Sequence, residues 1–370
     1  MKKMIFTAAM MLASAAAMAQ SGTFQIKGNV EGLPDSLVAM VERKTENIEV
    51  KKKKFVYSKN FDKPQWVYLC DLKVIKSGVF KANRVFAIPG ETIEMKGNFT
   101  EGVDIKGGKF YQEQELMDEY KGQAHKDIKA LRKWYSDNVN DSNRDSIEKV
   151  VDERMEPLQK KYAADLLAYA KQHSGQECIA LLIDELDDVK DKETLISLMA
   201  DNVKNGRMKA YYEPIVERAK KRAEMEEKAK VVQASGVEAP DFTLNDINGK
   251  PFALSSLRGK YVVIDFWGSW CIWCIKGMPK MKEYYEKYKG KFEILGVDCG
   301  DTEAKWKAAV EKHQLPWIHV YNPKGSDVLG KYAIQGFPTK IVVGPDGKIV
   351  KTIVGEDPAF YTLLDEVLGK

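Results

Sequence analysis

At 370 residues the chain is too long for one small domain, so two or three domains are expected. The hydrophobic content of 44% is ordinary, and the formal net charge of only +4 argues against a nucleic-acid-binding surface and against a trap for acidic substrates. Five cysteines in a chain of this length do not make a disulfide framework, so folding depends on ordinary hydrophobic cores.

Residues 1–19 have the features of a secretory signal peptide. A basic start at Lys2 and Lys3 precedes an apolar run, and Ala17-Met-Ala19 has the small-x-small pattern that precedes a cleavage site. We expect cleavage between Ala19 and Gln20, because the run is too short to span a bilayer comfortably as an uncleaved anchor. The sequence thus predicts a periplasmic mature protein without membrane insertion, in a compartment that permits disulfides.

Residues 20–110 contain short segments of alternating apolar and polar residues, separated by turn signals such as Pro89-Gly90. This pattern predicts an antiparallel β-sandwich. Strands are expected at Thr23–Val30, Trp66–Leu72, Val79–Ile88 and Thr92–Lys96. The lysines at 51–54 are interpreted as a guarded strand edge, with a site for an acidic partner as the alternative.

Residues 111–234 have helical periodicity and few turn residues, which predicts several helices of ordinary length. Cys178–Ile183 is expected to be the most buried of these segments, with Cys178 as a small core residue. A disulfide between Cys70 and Cys178 is an alternative. No motif for catalysis or metal binding occurs in this region. The alternatives are that these helices space the flanking domains, shape a substrate cleft or form a dimer, and the oligomeric state stays open.

Residues 235–370 alternate strands and helices and end in a hairpin, which predicts a mixed sheet with helices on both faces. A buried strand at Tyr261–Trp267 is followed by Cys271 and Cys274, and a helix is expected directly afterwards. Cys271 then falls at the first turn of that helix, where unpaired backbone N–H groups and the helix dipole stabilise a thiolate. The spacing lets the second thiol reach the first, so the pair can cycle between dithiol and disulfide.

A Cys-x-x-Cys spacing also occurs at zinc sites, which need a second pair of ligands. Cys70, Cys178 and Cys299 each stand alone, and the four histidines form no metal-ligand spacing. The sequence therefore favours redox chemistry over a zinc site and predicts no metal and no cofactor.

The segment Asp265-Phe-Trp-Gly-Ser-Trp-Cys-Ile-Trp-Cys274 resembles the active-site segment of thioredoxins, and of their TlpA/ResA-like relatives in particular. Pro279 stands where thioredoxins have a helix-kinking proline, and Gly336-Phe-Pro-Thr339 resembles their cis-proline loop. The resemblance covers about the last third of the chain and implies a C-terminal α/β thioredoxin fold. The segment Phe86–Ile93 gives a weaker resemblance to the β-rich domain that often precedes such modules.

The resemblance also implies roles for individual residues. Asp265 matches the buried acid that takes or relays the proton of the second cysteine, Cys274. Pro338 would be cis and would expose the backbone of Phe337 to an extended substrate segment. The remaining candidates are tryptophans of the motif: core packing explains Trp267, whereas Trp270 and Trp273 are candidates for an apolar docking patch.

The chain departs from the TlpA/ResA pattern at several positions. Those proteins usually carry an acid three positions after the second cysteine, where this chain has Gly277, and often an asparagine in place of Asp265. Trp273 replaces the proline common between the two cysteines, which leaves the direction of electron flow open. Cys299 follows the neighbouring strand, and a resolving or regulatory role for it stays open beside a structural one.

Ser235–Leu244 resembles an opening segment that TlpA-like proteins share with peroxiredoxins. A peroxidatic cysteine needs hydroxyl and proline neighbours at fixed spacing, however, and the corresponding positions before Cys271 are Gly268 and Ile264. The sequence therefore argues against a peroxidase.

These features together predict a multidomain periplasmic thiol-disulfide oxidoreductase that reduces protein disulfides through Cys271 and Cys274. The family resemblance implies a DsbD- or CcdA-like membrane electron donor and disulfide-containing protein substrates, apocytochromes c among them. One alternative is a disulfide oxidase or isomerase. Another is a binding protein that uses the thioredoxin module as a scaffold.

Overall fold

The computed structural model describes residues 21–120, 122–140 and 143–369. Residues 1–19, interpreted as a signal peptide, and Gln20 lie outside this range. The chain forms two compact units, divided between Ala219 and Lys220. The domain boundaries expected after residues 110 and 234 stay predictions. Within the first unit, the sheets and the helices share a single hydrophobic core.

The first unit contains two four-stranded sheets. Their strands are β1 (Gly22–Glu31), β2 (Leu37–Val41), β3 (Lys44–Asn47), β4 (Lys54–Phe61), β5 (Gln65–Asp71), β6 (Ala82–Ala87), β7 (Thr92–Asn98) and β8 (Gly102–Lys106). The strand orders are β4-β1-β7-β8 and β3-β2-β5-β6. All pairs are antiparallel except β1 with β7, which are parallel. Between these two strands the chain passes through the other sheet, so no hairpin fixes them as antiparallel.

Helices complete the first unit. They are α1 (Leu72–Lys76), α2 (Lys109–Glu119), α3 (Gly122–Asn138), α4 (Arg144–Gln172), a 3-10 helix (Glu177–Asp184), α5 (Val189–Leu198), α6 (Asp201–Lys204) and the beginning of α7 (Lys209–Val232). Residues Cys178–Ile183 are all buried, as expected. Cys70 and Cys178 are both buried with free thiols, so the alternative disulfide between them does not form. None of the described helices is long and apolar enough to cross a membrane.

The second unit is built around a seven-stranded mixed sheet. Its remaining elements are β9 (Thr243–Asp246), β10 (Pro251–Ala253), a 3-10 helix (Leu254–Leu257), β11 (Tyr261–Trp267), α8 (Ile272–Lys287), β12 (Phe292–Asp298), α9 (Glu303–Lys312), β13 (Ile318–Tyr321), α10 (Val328–Lys331), β14 (Thr339–Val343), β15 (Ile349–Val354) and α11 (Ala359–Leu368). The strand order is β10-β9-β13-β12-β11-β14-β15.

Strand β11 lies inside this sheet, parallel to β12 and antiparallel to β14. Val263 and Trp267 belong to the hydrophobic core on one face of the sheet, while Ile264 and Phe266 belong to the core on the other. Burial on both faces explains why the strand is a continuous apolar run. The chain leaves β11 through a short turn and enters α8 directly, which places the cysteine pair at the carboxyl end of the strand.

Candidate active site

A disulfide joins Cys271 and Cys274 at the start of α8. Cys271 is the N-cap residue of this helix, and the backbone N–H of Cys274 donates to Cys271 Sγ at 3.1 Å. This N–H belongs to the first helical turn, whose donors have no carbonyl partner within the helix. The same donor favours negative charge on Cys271 Sγ once the disulfide is reduced.

Exposed apolar side chains adjoin the two cysteines in the sequence. Cys271 and Cys274 are only 5% and 4% exposed, whereas Trp270, Ile272 and Trp273 are each more than half exposed. The Lys276 ammonium lies 4.4 Å from the centre of the Trp273 ring. A cluster of exposed apolar residues next to a reactive group is typical of a surface that contacts another protein.

The cis-proline loop lies beside the cysteine turn. The Phe337–Pro338 peptide bond is cis, and the Phe337 ring meets Trp270 edge-on with 5.3 Å between the ring centres. Among the described residues, no hydrogen bond to the Phe337 N–H or carbonyl is found. These backbone groups are therefore available to an extended segment of a partner.

The turn before Cys271 is held by the loop that follows β12. Ser269 donates from both its backbone N–H and its hydroxyl to the Asp301 carboxylate, at 2.6 Å each. The Trp270 indole N–H donates to the Cys299 carbonyl at 2.9 Å. The Cys299 side chain is itself buried, which raises the pKa of its thiol. The structure thus places Cys299 next to the site through its backbone, and the role of its thiol stays a prediction.

Asp265 lies within the buried part of β11, opposite Lys340 of β14. Its side chain is 6% exposed, and among the described residues its Oδ1 atom has no hydrogen-bond partner. Burial raises the pKa of this carboxyl to about 6; the Lys340 ammonium acts in the opposite direction and the Glu356 carboxylate raises the pKa further. An acid with this pKa can both accept and return a proton near neutral pH.

Three residues near Asp265 form a charged network that sequence analysis missed. Lys340, which is 1% exposed, lies 2.7 Å from Glu356 Oε2, and the Tyr361 hydroxyl donates to Glu356 Oε1 at 2.8 Å. A lysine inside the apolar strand Thr339–Val343 was the available signal, because a buried ammonium needs a partner. The partner follows a different strand, however, and no sequence spacing identifies it.

The described residues contain no group of three or more His, Cys, Asp or Glu side chains that could hold a metal ion.

Comparisons with known proteins agree with this geometry. The AhpC/TSA family matches residues 235–352. The thiol-disulfide oxidoreductase ResA of Bacillus cereus (strain ZK / E33L) is 42% identical over 122 residues, which are 33% of this chain and 70% of that protein. The ResA of Bacillus subtilis (strain 168) is 34% identical over 123 residues, 33% of this chain and 68% of that protein. The chain belongs to the ResA-like thiol-disulfide oxidoreductases.

A solved structure also resembles part of this oxidoreductase. The thioredoxin domain of a thiol-disulfide oxidoreductase from Bacteroides vulgatus is 36% identical, and the match covers 36% of this chain and 98% of that chain with a TM-score of 0.35.

Steric crowding at Gly268 excludes the hydroxyl side chain that a peroxidase would need at this position before Cys271. A Cβ atom at Gly268 would lie 2.5 Å from the Trp270 indole nitrogen and 2.9 Å from the Cys299 carbonyl oxygen. No residue with a side chain fits there without moving the turn. This observation agrees with the sequence argument against a peroxidase.

Replacement of Asp265 by asparagine is expected to stabilise the oxidised protein at neutral pH. The carboxyl pKa is about 6 in the folded protein, above the ordinary value of 3.8. Between those values the folded state binds more protons than the unfolded state, so wild-type stability falls as pH rises. The advantage of the variant should therefore grow from about pH 4 to about pH 7, reaching at most about 3 kcal/mol. Urea unfolding at both pH values measures it.

The variant Asp327→Asn is the control, because it removes the same charge from an exposed side chain. A difference between wild type and Asp265→Asn that stays constant or shrinks with rising pH would contradict the assignment of Asp265 as a buried acid.

Proposed function

We propose that this oxidoreductase is a periplasmic reductase of protein disulfides. The observation that carries the proposal is the backbone N–H of Cys274 donating to Cys271 Sγ at the start of α8. In the reduced protein this donor favours the thiolate of Cys271, which is the nucleophilic form. The exposed Trp270, Ile272 and Trp273 support a protein substrate, because they offer an apolar surface much larger than a small thiol needs.

The reaction is a thiol-disulfide exchange in two steps. The Cys271 thiolate attacks one sulfur of the substrate disulfide, that S–S bond breaks, and the released substrate thiolate takes a proton. Cys274 then loses its proton to Asp265 and attacks Cys271 Sγ, the mixed disulfide breaks, and the second substrate sulfur leaves as a thiolate that takes up a proton. The protein ends with its Cys271–Cys274 disulfide, and the two electrons have moved to the substrate.

The cis-proline loop supports the first step. An extended substrate segment could pair with the free backbone groups of Phe337, which lies against Trp270 beside the cysteine turn. Pairing of this kind would hold the substrate disulfide next to Cys271 and align it for attack.

The family resemblance supports a proposal for the electron donor, and the N-terminal sequence supports a proposal for the location. We propose a DsbD- or CcdA-like membrane protein as the donor that returns the Cys271–Cys274 disulfide to the dithiol. Apocytochromes c are proposed among the substrates. Lys2, Lys3 and the apolar run that follows support export to the periplasm.

Substitution of the cysteines one at a time should separate their roles. Cys271→Ser should abolish exchange. Cys274→Ser should accumulate mixed disulfides with substrate proteins, because Cys271 still attacks and no second thiol releases the product. Non-reducing electrophoresis of tagged protein from cells, followed by mass spectrometry, identifies the trapped partners.

Cys299→Ser is the matched control and should keep wild-type exchange, since the Cys299 thiol forms no disulfide and burial raises its pKa, which disfavours the reactive thiolate. If cells carrying Cys271→Ser retained every function of the protein, the binding-protein interpretation would replace the enzymatic one.

The reduction potential of the Cys271–Cys274 pair decides the direction of electron flow. A reductase should equilibrate near the thioredoxin value of about −270 mV, whereas a strong oxidant lies near about −120 mV. Equilibration with defined dithiothreitol or glutathione buffers, read by alkylation of free thiols, gives the value. A potential close to that of the strong oxidant would overturn the reductase assignment in favour of an oxidase.

Export should leave a mature chain that begins at Gln20. Intact-mass spectrometry of the protein from a periplasmic fraction tests this directly. Replacement of Ala17 and Ala19 by bulky residues should block processing, because signal peptidase sites require small side chains. A full-length chain retained in the cytoplasm would contradict the proposed location.

A further inference from the structure

Glu356 places its carboxylate against α8, although it follows β15 and lies far from both cysteines in sequence. A Cβ atom built at Gly277 would come within 2.2 Å of Glu356 Oε2. Gly277 lies on the buried face of α8, three residues after Cys274 and so within one helical turn of it. The Glu356 carboxylate therefore occupies the space that a side chain at residue 277 would fill.

Two well-buried groups fix this carboxylate. Lys340 lies 2.7 Å from Oε2, and the Tyr361 hydroxyl donates to Oε1 at 2.8 Å. Lys340 also lies opposite Asp265 in the β11–β14 pair, so this ammonium has two carboxylates within its surroundings. The direct ion pair forms with Glu356, while Asp265 Oδ1 has no hydrogen-bond partner among the described residues.

We propose that Glu356 is a positioning residue for the exchange reaction: by binding Lys340 over the gap at Gly277, it keeps this ammonium from pairing directly with Asp265. The inference rests on the proposed function, because Asp265 is the residue that takes the proton of Cys274. Two carboxylates that share one ammonium cannot both be fully neutralised, so Asp265 keeps its affinity for a proton. With Lys340 released to it, Asp265 would be a much weaker proton acceptor.

The two charged neighbours of Asp265 act on it in opposite directions. Glu356 raises the pKa of Asp265, and Lys340 lowers it. Tyr361 of α11 and Cys299 after β12 are further titratable groups that interact electrostatically with Asp265. General loosening of the structure would expose Asp265 and move its pKa in one direction only. Opposite shifts from two substitutions therefore identify the charge network itself.

Carbon-13 NMR titration of the Asp265 carboxyl in the full-length oxidised protein provides the test, with Asp265→Asn to assign the signal. Glu356→Gln should lower the Asp265 titration midpoint by about one pH unit, since Lys340 is freed and a negative charge is lost. Lys340→Met should raise the midpoint by a similar amount. If both variants shift the midpoint in the same direction, or if Glu356→Gln leaves it in place, the proposal is overturned.

Gly277→Ala provides a second test of the role of Glu356, and this substitution changes no charge. Its Cβ atom would displace the Glu356 carboxylate, and alanine is favourable inside a helix, so α8 should keep its fold. This variant should lower the Asp265 midpoint as Glu356→Gln does, and an unchanged midpoint would count against the proposal. Glu293→Gln is the matched control and should leave the midpoint unchanged, because it removes a carboxylate that accepts from Tyr285 at 2.9 Å nearer the amino end of β12.

A kinetic readout links the midpoint to the reaction. Ellman's reagent forms a mixed disulfide with Cys271 of the reduced protein, and attack by Cys274 releases a second nitrothiobenzoate. The pH profile of this second release should move to lower pH in Glu356→Gln, together with the NMR midpoint. If the wild-type protein released no second nitrothiobenzoate, the proposed roles of the cysteines would be contradicted. The NMR shifts test the role of Glu356 independently of that outcome.

Discussion

The site depends on one hydrogen bond, from the first turn of α8 to the sulfur of Cys271. The donor is available because a helix begins directly after this residue, and only a short turn separates that helix from β11. Asp301 and the Cys299 carbonyl hold that turn from the neighbouring loop. The reactive cysteine thus owes its position to backbone geometry fixed by the sheet.

Most of the second unit could be predicted from the sequence. Every residue of β11 except Asp265 is apolar or aromatic, which predicts a buried strand, and the helix after it follows from the spacing of apolar residues in α8. Cys271 at the start of that helix then follows from local order alone. The contact between Trp270 and Phe337 could not be predicted from the residues around either one. Only the family resemblance places the cis-proline loop beside the cysteine turn.

The first unit was harder to predict. Strands β2, β3 and β8 were not identified because they are only four or five residues long, and the eight-residue β4 was not identified because it begins inside the run of lysines at 51–54. The segment expected to be a strand from Val79 begins only at Ala82, with Val79 and Phe80 exposed. The parallel pairing of β1 with β7 joins strands that are far apart in the sequence. The sequence of neither strand indicates which partner it pairs with or in which direction.

The empty position at residue 277 has a consequence for the history of this chain. Any side chain there would push the Glu356 carboxylate out of its present place, so the residues at the two positions constrain each other. A larger residue at 277 would therefore disturb the present contact between Glu356 and Lys340. Related proteins that hold a long acidic residue in the place of Glu356 should accordingly have a glycine at the position of Gly277.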